Sequence, residues 1–317
     1  MVFARFLDKL TFARRVWRER TNIQLLFDTG NYQFLKFAPP GHFYSPIPDI
    51  KEVDAHSRIV FDRLQTRIPS IDLNIELQTT LSRELAAYYG DIPFPEKRQS
   101  GSRYYLDNEY FSYGDGVVVY SMMRRFKPKC VIEVGSGFSS AAMLDVNEKF
   151  FNNAIEFAFI EPFPDRLFSL LRDEDAERCK VLRTQVQEIP ENLFSKLHEN
   201  DILFIDSSHV AKTHSDVVHL LFNILPSLNR GVIVHFHDIL WPFEYPSLWF
   251  KHGRAWNEAY FLRAFLQYNS TFQILYFNSL MEIYHGDFLR REMPLAVKMP
   301  SSPVTPGNTS LWIRKAQ

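Results

Sequence analysis

The sequence contains few cysteines and no long apolar run. Its two cysteines, Cys130 and Cys179, have no nearby Cys or His at zinc-ligand spacing, so neither is expected to bind a metal. No run of about 18 uncharged apolar residues occurs, so no membrane span is predicted. The segment Met1–Leu10 is broken by charged residues and lacks the apolar centre of a secretory signal. We therefore expect a cytoplasmic protein.

Net charge of either sign is also nearly absent. The 317 residues include 36 Lys and Arg against 37 Asp and Glu, a formal charge of -1. This balance predicts no general attraction to nucleic acid or to an anionic membrane. One basic stretch, Arg14–Arg20, is interrupted by Glu19 and is interpreted as a solvated helix face. A hydrophobic content of 46% is ordinary for a folded chain, whose length suits one large α/β domain or a domain with an extension.

The first hundred residues differ in pattern from the rest. Helical spacing of apolar residues occurs at Leu7–Arg20 and, with interruptions, at Ala55–Tyr89. A loop containing Pro and Gly, Pro39–Pro48, lies between them, and Ile92–Ser102 resembles a linker. We predict a mostly helical N-terminal extension over 1–100 and a second domain over 101–317.

From about residue 130, short apolar strands alternate with helical segments. The predicted strands are Cys130–Val134, Ile155–Ile160, Lys180–Arg183, Ile202–Ile205 and Val232–Phe236. Strands separated by helices of this length predict a mostly parallel, doubly wound α/β sheet with helices on both faces. Ligands of such sheets bind at the carboxyl ends of the strands, so the residues that follow each strand are the candidates for function.

A glycine turn follows the first strand. Gly135 and Gly137 permit a tight turn and a close approach of backbone to a ligand. A dinucleotide site would require a third glycine at Ser140, so an NAD-dependent oxidoreductase is the least favoured enzyme. Glu161 ends the second strand, where a carboxylate can accept both ribose hydroxyls of an adenosine. The alternative for Glu161 is an exposed acid at a helix start, beside Pro162.

Together, the E-x-G-x-G turn and the acid at the end of strand two resemble class I S-adenosylmethionine-dependent methyltransferases. The resemblance covers about residues 105–317 and implies a seven-stranded sheet, with Phe272–Phe277 and Leu311–Arg314 as the last two strands. It also implies insertions after strand five and between strands six and seven. The cofactor-binding residues that it implies are Glu133, Gly135, Ser136, Gly137, Ser139, Glu161, Gln187 and Asp206.

Acids and histidines follow strands four and five. The D-x-x-H pattern at Asp206–His209 is similar to that of O-methyltransferases of the macrocin type, also described as methyltransferase 24-like. That resemblance implies a divalent metal, magnesium or a softer ion, and a histidine base. Asp206, His237 and Asp238 would bind the metal, and Asp206 and His209 would be catalytic. The alternative for His235 and His237 is ordinary hydrogen bonding at a strand end.

The acceptor is the least determined part of the prediction. The aromatic segment Leu240–Pro246 and Trp256 could stack on a sugar or flat ring, or could pack as an aromatic seam. The insertion Ser279–Asn308 could form a lid. We predict O-methylation of a small molecule or glycan. Metal-independent N-methylation and a catalytically silent binding module are the alternatives, and a homo-oligomer is left open.

Overall fold

The structure is a computed structural model that describes residues 21–22, 24–25, 28–303 and 305–317. The predicted helix Leu7–Arg20 and the basic stretch within it lie outside the described residues. The chain divides into two compact units after Val60. The described helices of the first unit are α1 (Tyr32–Phe37), α2 (Ile50–Ala55) and α3 (Ser57–Val60). Among the described residues of this unit only Ala38 is buried.

The second unit, Phe61–Gln317, contains a seven-stranded sheet. Its strands are β1 (Cys130–Val134), β2 (Glu156–Ile160), β3 (Cys179–Leu182), β4 (Ile202–Ile205), β5 (Ile233–Phe236), β6 (Phe272–Phe277) and β7 (Leu311–Lys315). The strand order is β3-β2-β1-β4-β5-β7-β6, in which only β7 runs antiparallel to its neighbours. The predicted doubly wound, mostly parallel fold is confirmed, and the predicted strand bounds differ by at most one residue at each end.

Helices cover both faces of the sheet. They are α4 (Ile75–Ala86), α5 (Tyr113–Phe126), α6 (Phe138–Phe151), α7 (Asp165–Phe168), α8 (Asp175–Arg178), α9 (Asp216–His219), α10 (Leu225–Ser227), α11 (Ser247–Lys251), α12 (Glu258–Leu266), α13 (Asn278–Tyr284) and α14 (Gly286–Glu292). A π-helical turn, Leu220–Ile224, joins α9 to α10, and short 3₁₀ turns lie at Tyr89–Asp91, Val186–Glu188, Glu191–Lys196 and Pro294–Val297. None of the described helices has the length and apolar character of a membrane span.

The strands bury both of their faces, as a parallel sheet requires. In β4, Leu203 and Ile205 belong to one apolar cluster, whereas Ile202 and Phe204 belong to the other. This alternation follows from the period of two in a strand. The two clusters anchor the sheet, so that the strand ends are held on a rigid frame.

The segment 61–100, which the sequence pattern assigns to the N-terminal extension, lies within the second unit. Leu73 and Leu85 are buried in the two apolar clusters of the sheet. The Gln78 side chain accepts a hydrogen bond from the backbone N–H of Phe277 at 2.7 Å. The prolines that resemble a linker therefore do not separate two domains. We propose that the domain carrying the sheet comprises residues 61–317.

Candidate active site

The turn after β1 brings two strands into close contact. Gly135 has φ +80°, and a Cβ at this position would lie 1.7 Å from the carbonyl oxygen of Asp206, which follows β4. The backbone N–H of Gly135 donates to the carbonyl of Ile160 at 3.0 Å. Only glycine fits both the left-handed backbone and this contact. The ends of β1, β2 and β4 are consequently held together around Gly135.

Glu133 stabilises this turn from within the protein core. It does not line either of the two cavities found at this edge of the sheet. It is fully buried, and its carboxylate accepts hydrogen bonds from the hydroxyls of Ser139 and Ser140 in the first turn of α6. Burial raises the pKa of Glu133 to about 8, against the lowering effect of the two hydroxyls. Because Glu133 lines neither cavity, we propose that it positions the glycine turn and does not contact the cofactor directly.

Glu161 joins the end of β2 to the glycine turn. Its carboxylate accepts hydrogen bonds from the backbone N–H groups of Ser136 at 3.1 Å and Phe163 at 2.8 Å. A carboxylate has about four acceptor positions, so two such bonds leave capacity for a ligand. Glu161 lines both cavities of the site, which agrees with its predicted location.

Two adjoining cavities follow the carboxyl ends of the strands, of about 540 Å³ and 510 Å³. They share Gly135, Glu161 and the segment 206–208, while Gln187 lines the smaller cavity and Ser139 the larger. Three buried polar atoms among these residues have no hydrogen-bond partner in the described part of the chain: Ser136 Oγ, Gln187 Oε1 and Ser207 Oγ. Buried polar atoms are normally paired, so these three atoms are available to a polar ligand bound in the cavities.

The larger cavity contains a compact group of two acids and one histidine. The potential ligand atoms of Asp206, His209 and Asp238 all lie within 4.8 Å of one another. His209 Nε2 is 3.5 Å from a carboxylate oxygen of Asp206 and 3.6 Å from one of Asp238. His209 and Asp238 both have left-handed backbone, with φ 59° and 57°. Non-glycine residues rarely adopt this conformation, and where they do they often belong to functional sites.

Glu258, at the start of α12, fixes the orientation of His209. Its buried carboxylate lies 2.9 Å from His209 Nδ1, and the backbone N–H groups of Asn257 and Glu258 donate to the His209 carbonyl at 3.1 Å. The Trp256 ring packs against the imidazole with centroids 4.4 Å apart. These contacts leave Nε2 as the ring nitrogen of His209 that faces the two acids.

Electrostatics couple the three groups. Burial lowers the pKa of His209, but hydrogen bonds to Asp206 and Glu258 and the charge of Asp238 outweigh it and raise the pKa well above its ordinary value. Burial likewise opposes ionisation of Asp206, yet His237 and His209 hold the pKa of Asp206 below its usual range. The raised pKa favours the protonated form of His209, whereas a general base must be unprotonated to accept a proton.

His237 also lines the larger cavity, and its Nε2 lies 3.5 Å from Asp238 Oδ1. Its Nε2 is 3.1 Å from the carbonyl oxygen of Tyr110, and its Nδ1 is 3.2 Å from Thr309 Oγ1, which donates to the buried Asp115 at 2.9 Å. The compact acid group contains His209 in place of His237. Because both ring nitrogens of His237 have partners, we propose His209 in its place as the ligand, and the predicted ligand role of His237 stays a prediction.

His235 is a core residue, as the structural alternative predicts. It is fully buried, lies 2.8 Å from Ser310 Oγ through Nε2, and stacks on Phe204 with centroids 3.7 Å apart. Burial lowers the pKa of His235 well below its usual value, so the ring is neutral. It points to the same side as His237, with centroids 6.1 Å apart.

The aromatic segment after β5 contributes mostly to the core. Trp241, Phe243 and Tyr245 are buried in the apolar cluster of the sheet, so Trp241 is not available to stack on a ligand. Trp249 and Trp256 do line the larger cavity. From the insertion Ser279–Asn308, Thr305 is the one described residue that lines this cavity. The lid therefore stays a prediction.

The sequence pattern does not single out Arg166, which also lines the larger cavity. Its guanidinium lies 3.9 Å from the centre of the Tyr110 ring, and its Cδ would lie 3.1 Å from a Cβ on Gly137. Its position in the short helix α7, directly after β2, is the signal that could have indicated it. The sequence pattern gives no role to Glu258 either, because no pattern connects α12 with the turn after β4.

Comparisons with known proteins fit this arrangement. Residues 132–239 match a family profile described as a methyltransferase domain. An uncharacterised protein of Archaeoglobus fulgidus is 36% identical over 172 residues, which are 53% of this chain and 76% of that protein.

Two of the similar solved structures are methyltransferase PaMTH1 of Podospora anserina bound to SAH, and CmcI with magnesium and SAM. The first is 16% identical, with 86% of this chain and 99% of that chain covered and a TM-score of 0.39. The second is 13% identical, with 84% of this chain and 96% of that chain covered and a TM-score of 0.37.

The strand order, the reversed β7, the glycine turn and the matched profile define a class I methyltransferase. The chain belongs to the methyltransferase-domain family and is an S-adenosylmethionine-dependent methyltransferase. The predicted family, enzyme class and cofactor are thereby confirmed.

Proposed function

We propose that this enzyme transfers the methyl group of S-adenosylmethionine to a hydroxyl oxygen of a small-molecule or glycan acceptor, with a divalent metal ion bound beside the acceptor. The observation that carries the proposal is the compact group of Asp206, His209 and Asp238 in the larger cavity. It lies at the carboxyl edge of the sheet, next to the glycine turn. A metal held by these residues would lower the pKa of a bound hydroxyl.

The cofactor fits the two adjoining cavities. Glu161 has acceptor capacity for the ribose hydroxyls, and the unpartnered oxygens of Gln187 and Ser207 can pair with polar edges of the adenosine. The turn Gly135–Gly137 offers backbone close to the methionine part, with the free hydroxyl of Ser136 beside it. Asp206 borders both cavities, so it stands between cofactor and acceptor. When bound, S-adenosylmethionine supplies an electrophilic methyl group.

The ligand set fits a divalent metal. Two carboxylates and one imidazole form a mixed oxygen and nitrogen set, which suits manganese or a similar ion better than magnesium, whose ligands are mostly oxygen. The Glu258–His209 contact has the form in which a metal-binding histidine is oriented by a carboxylate behind it. We therefore assign Asp206, Asp238 and His209 as the ligands, and His209 exchanges its predicted role as base for that of a ligand.

A metal-free methyl transfer is the second candidate, and one observation favours it. His209 Nε2 already lies 3.5 and 3.6 Å from the two acids, so a protonated imidazole can compensate their charge without a cation. In that case the three side chains would orient an acceptor, such as an amine, by hydrogen bonding. N-methylation then becomes the expected reaction.

Binding of manganese decides between the two. Protein dialysed against EDTA should bind about one Mn²⁺ in titration calorimetry, and Asp206→Asn and Asp238→Asn should each abolish tight binding, since a ligand site needs its charged donors. Asp173→Asn, at an exposed acid away from both cavities, is the matched control. Absence of Mn²⁺ binding, or equal binding by all variants, would contradict the metal site and favour the metal-free reaction.

A further inference from the structure

The larger cavity contains an arginine that the proposed reaction does not use. Arg254 lines the same cavity as Asp206 and Asp238, and its guanidinium packs beside a contacting pair of tryptophans. The guanidinium carbon is 4.6 Å from the centre of the Trp249 ring and 4.8 Å from that of Trp256. Arg254 is thus held beside two indole rings at the wall of the cavity in which the acceptor is proposed to bind.

The contacts of Arg254 leave its side-chain donors available. Its backbone N–H donates to the carbonyl of Trp249 at 3.1 Å, which fixes the start of the side chain. In the described part of the chain no carboxylate forms an ion pair with its guanidinium, although Asp206, Asp238 and Glu109 line the same cavity. A guanidinium that packs against aromatic rings keeps its N–H donors in the plane of the group, where they match the two oxygens of an anionic group.

Trp256 connects this arginine with the acid group. One indole ring contacts both the guanidinium of Arg254 and the imidazole of His209, whose centroid is 4.4 Å from that of Trp256. The cationic donor and the imidazole beside the proposed acceptor hydroxyl therefore contact the same indole ring. A small acceptor can reach both points at once.

The other guanidinium of the cavity is placed for the cofactor. Arg166 lies over the Tyr110 ring and against Gly137 in the glycine turn. That is where the methionine part, with its carboxylate, is proposed to bind. Arg254 is instead attached to the segment between α11 and α12, which carries Trp256 and leads into Glu258.

We propose that Arg254 binds an anionic oxygen group of the acceptor. The acceptors are then hydroxylated acids. Such a molecule carries a hydroxyl and, about one ring away, a carboxylate or a tetrahedral oxyanion such as a phosphate or sulfate. This inference rests on the proposed methyl transfer to a hydroxyl and narrows its substrate class.

The test uses three catechol probes that differ only in the group at carbon 1 of the ring. Two of these groups are anionic, in 3,4-dihydroxybenzoate and 3,4-dihydroxybenzenesulfonate, and the third is neutral, in 3,4-dihydroxybenzamide. Binding is measured by calorimetry on the full chain with saturating SAH and fixed Mn²⁺. At least one of the two acids should bind about 10- to 100-fold more tightly than the amide, the range for a charge-assisted hydrogen bond pair. The tighter of the two identifies a planar or a tetrahedral oxyanion.

Three variants locate the effect. Arg254→Gln should remove the preference for the acid, and Arg254→Lys should keep part of it, because lysine retains the charge without the planar fork. Arg230→Gln, at an exposed arginine outside the cavity, should behave as the unmodified protein. Thermal unfolding with and without SAH verifies that each variant is folded.

Several results would overturn the inference. These are equal affinities for the three probes, no measurable binding of any probe to the SAH complex, or an acid preference that survives in Arg254→Gln. A loss of SAH affinity in Arg254→Gln would assign the arginine to the cofactor instead. Failure of the unmodified protein to bind SAH would refute the proposed cofactor site, an outcome distinct from all of these.

Discussion

Replacement of Glu258 by glutamine perturbs the site through a single contact. Glu258 is 1% exposed, and its carboxylate lies 2.9 Å from His209 Nδ1. Glutamine has the same shape and retains an acceptor oxygen, but it carries no charge. Glu258→Gln therefore tests whether a charged partner behind His209 supports binding at Nε2, while the packing of α12 stays intact.

The magnitude follows from the nature of the contact. A hydrogen bond between charged groups contributes about 1.5–3 kcal/mol, whereas a neutral one contributes about 1 kcal/mol. Loss of a carboxylate that orients a metal-binding histidine typically lowers metal affinity about 10- to 100-fold. We expect a loss in this range for Mn²⁺ in Glu258→Gln. In Glu258→Ala the buried Nδ1 of His209 loses its charged partner, so the free energy of unfolding should fall by about 3–5 kcal/mol.

Titration calorimetry with Mn²⁺ and urea unfolding of the metal-free protein measure the two effects. Glu244→Gln is the matched control, because Glu244 is a largely buried acid of the same region that hydrogen bonds Tyr260 and not the acid group. SAH affinity should stay constant in both variants. Unchanged Mn²⁺ affinity in Glu258→Gln would refute the assignment of His209 as a ligand that Glu258 orients.

Three further predictions concern the cofactor edge of the sheet. Glu161→Ala should weaken SAH binding by about 1.5–3 kcal/mol in calorimetry, the range for hydrogen bonds to a charged group, and equal affinity would remove Glu161 from the ribose. Gly135→Ala places a Cβ 1.7 Å from the Asp206 carbonyl oxygen, so it should lower the melting temperature and abolish SAH binding; a variant that binds normally would refute this contact. The pKa of Glu133 is about 8 in the folded state and lower when unfolded, so the folded state binds the extra proton and stability should fall as pH rises toward 8. Glu133→Gln should lose that dependence in urea unfolding at pH 6 and pH 9, and an unaltered dependence would place its origin elsewhere.

The sheet could be predicted because its apolar strands are distinct and regularly separated by helices. Parallel strands all present their carboxyl ends at one edge, so Asp206 and Asp238 were expected to meet there, and the structure places them within the same compact group. The glycine turn and Glu161 are likewise specified by their positions after β1 and β2.

The choice between two histidines could not be predicted. Whether His209 or His237 joins the acids depends on the left-handed backbone at His209 and Asp238, and neither residue is a glycine that would have indicated it. The partner that fixes His209 comes 49 residues later in the chain, at Glu258. Contacts of this kind arise from tertiary packing, for which no local pattern exists.

The domain boundary that we propose, after Val60, differs from the predicted one for a related reason. The prolines of Ile92–Ser102 resemble a linker, yet Phe94 is buried in the apolar cluster on one face of the sheet. The proline content of a segment indicates how stiff the chain is locally, but it does not indicate which residues the segment packs against. Residues 61–100 are therefore assigned by their buried contacts.

A crystal structure of the protein with SAH and Mn²⁺ tests the central claim most directly, because the anomalous signal of manganese locates the ion independently of the protein chain. We predict that SAH lies along the two adjoining cavities with its ribose on Glu161. We also predict one manganese peak within bonding distance of Asp206, Asp238 and His209. SAH bound away from Glu161, or manganese absent from the acid group, would contradict the claim.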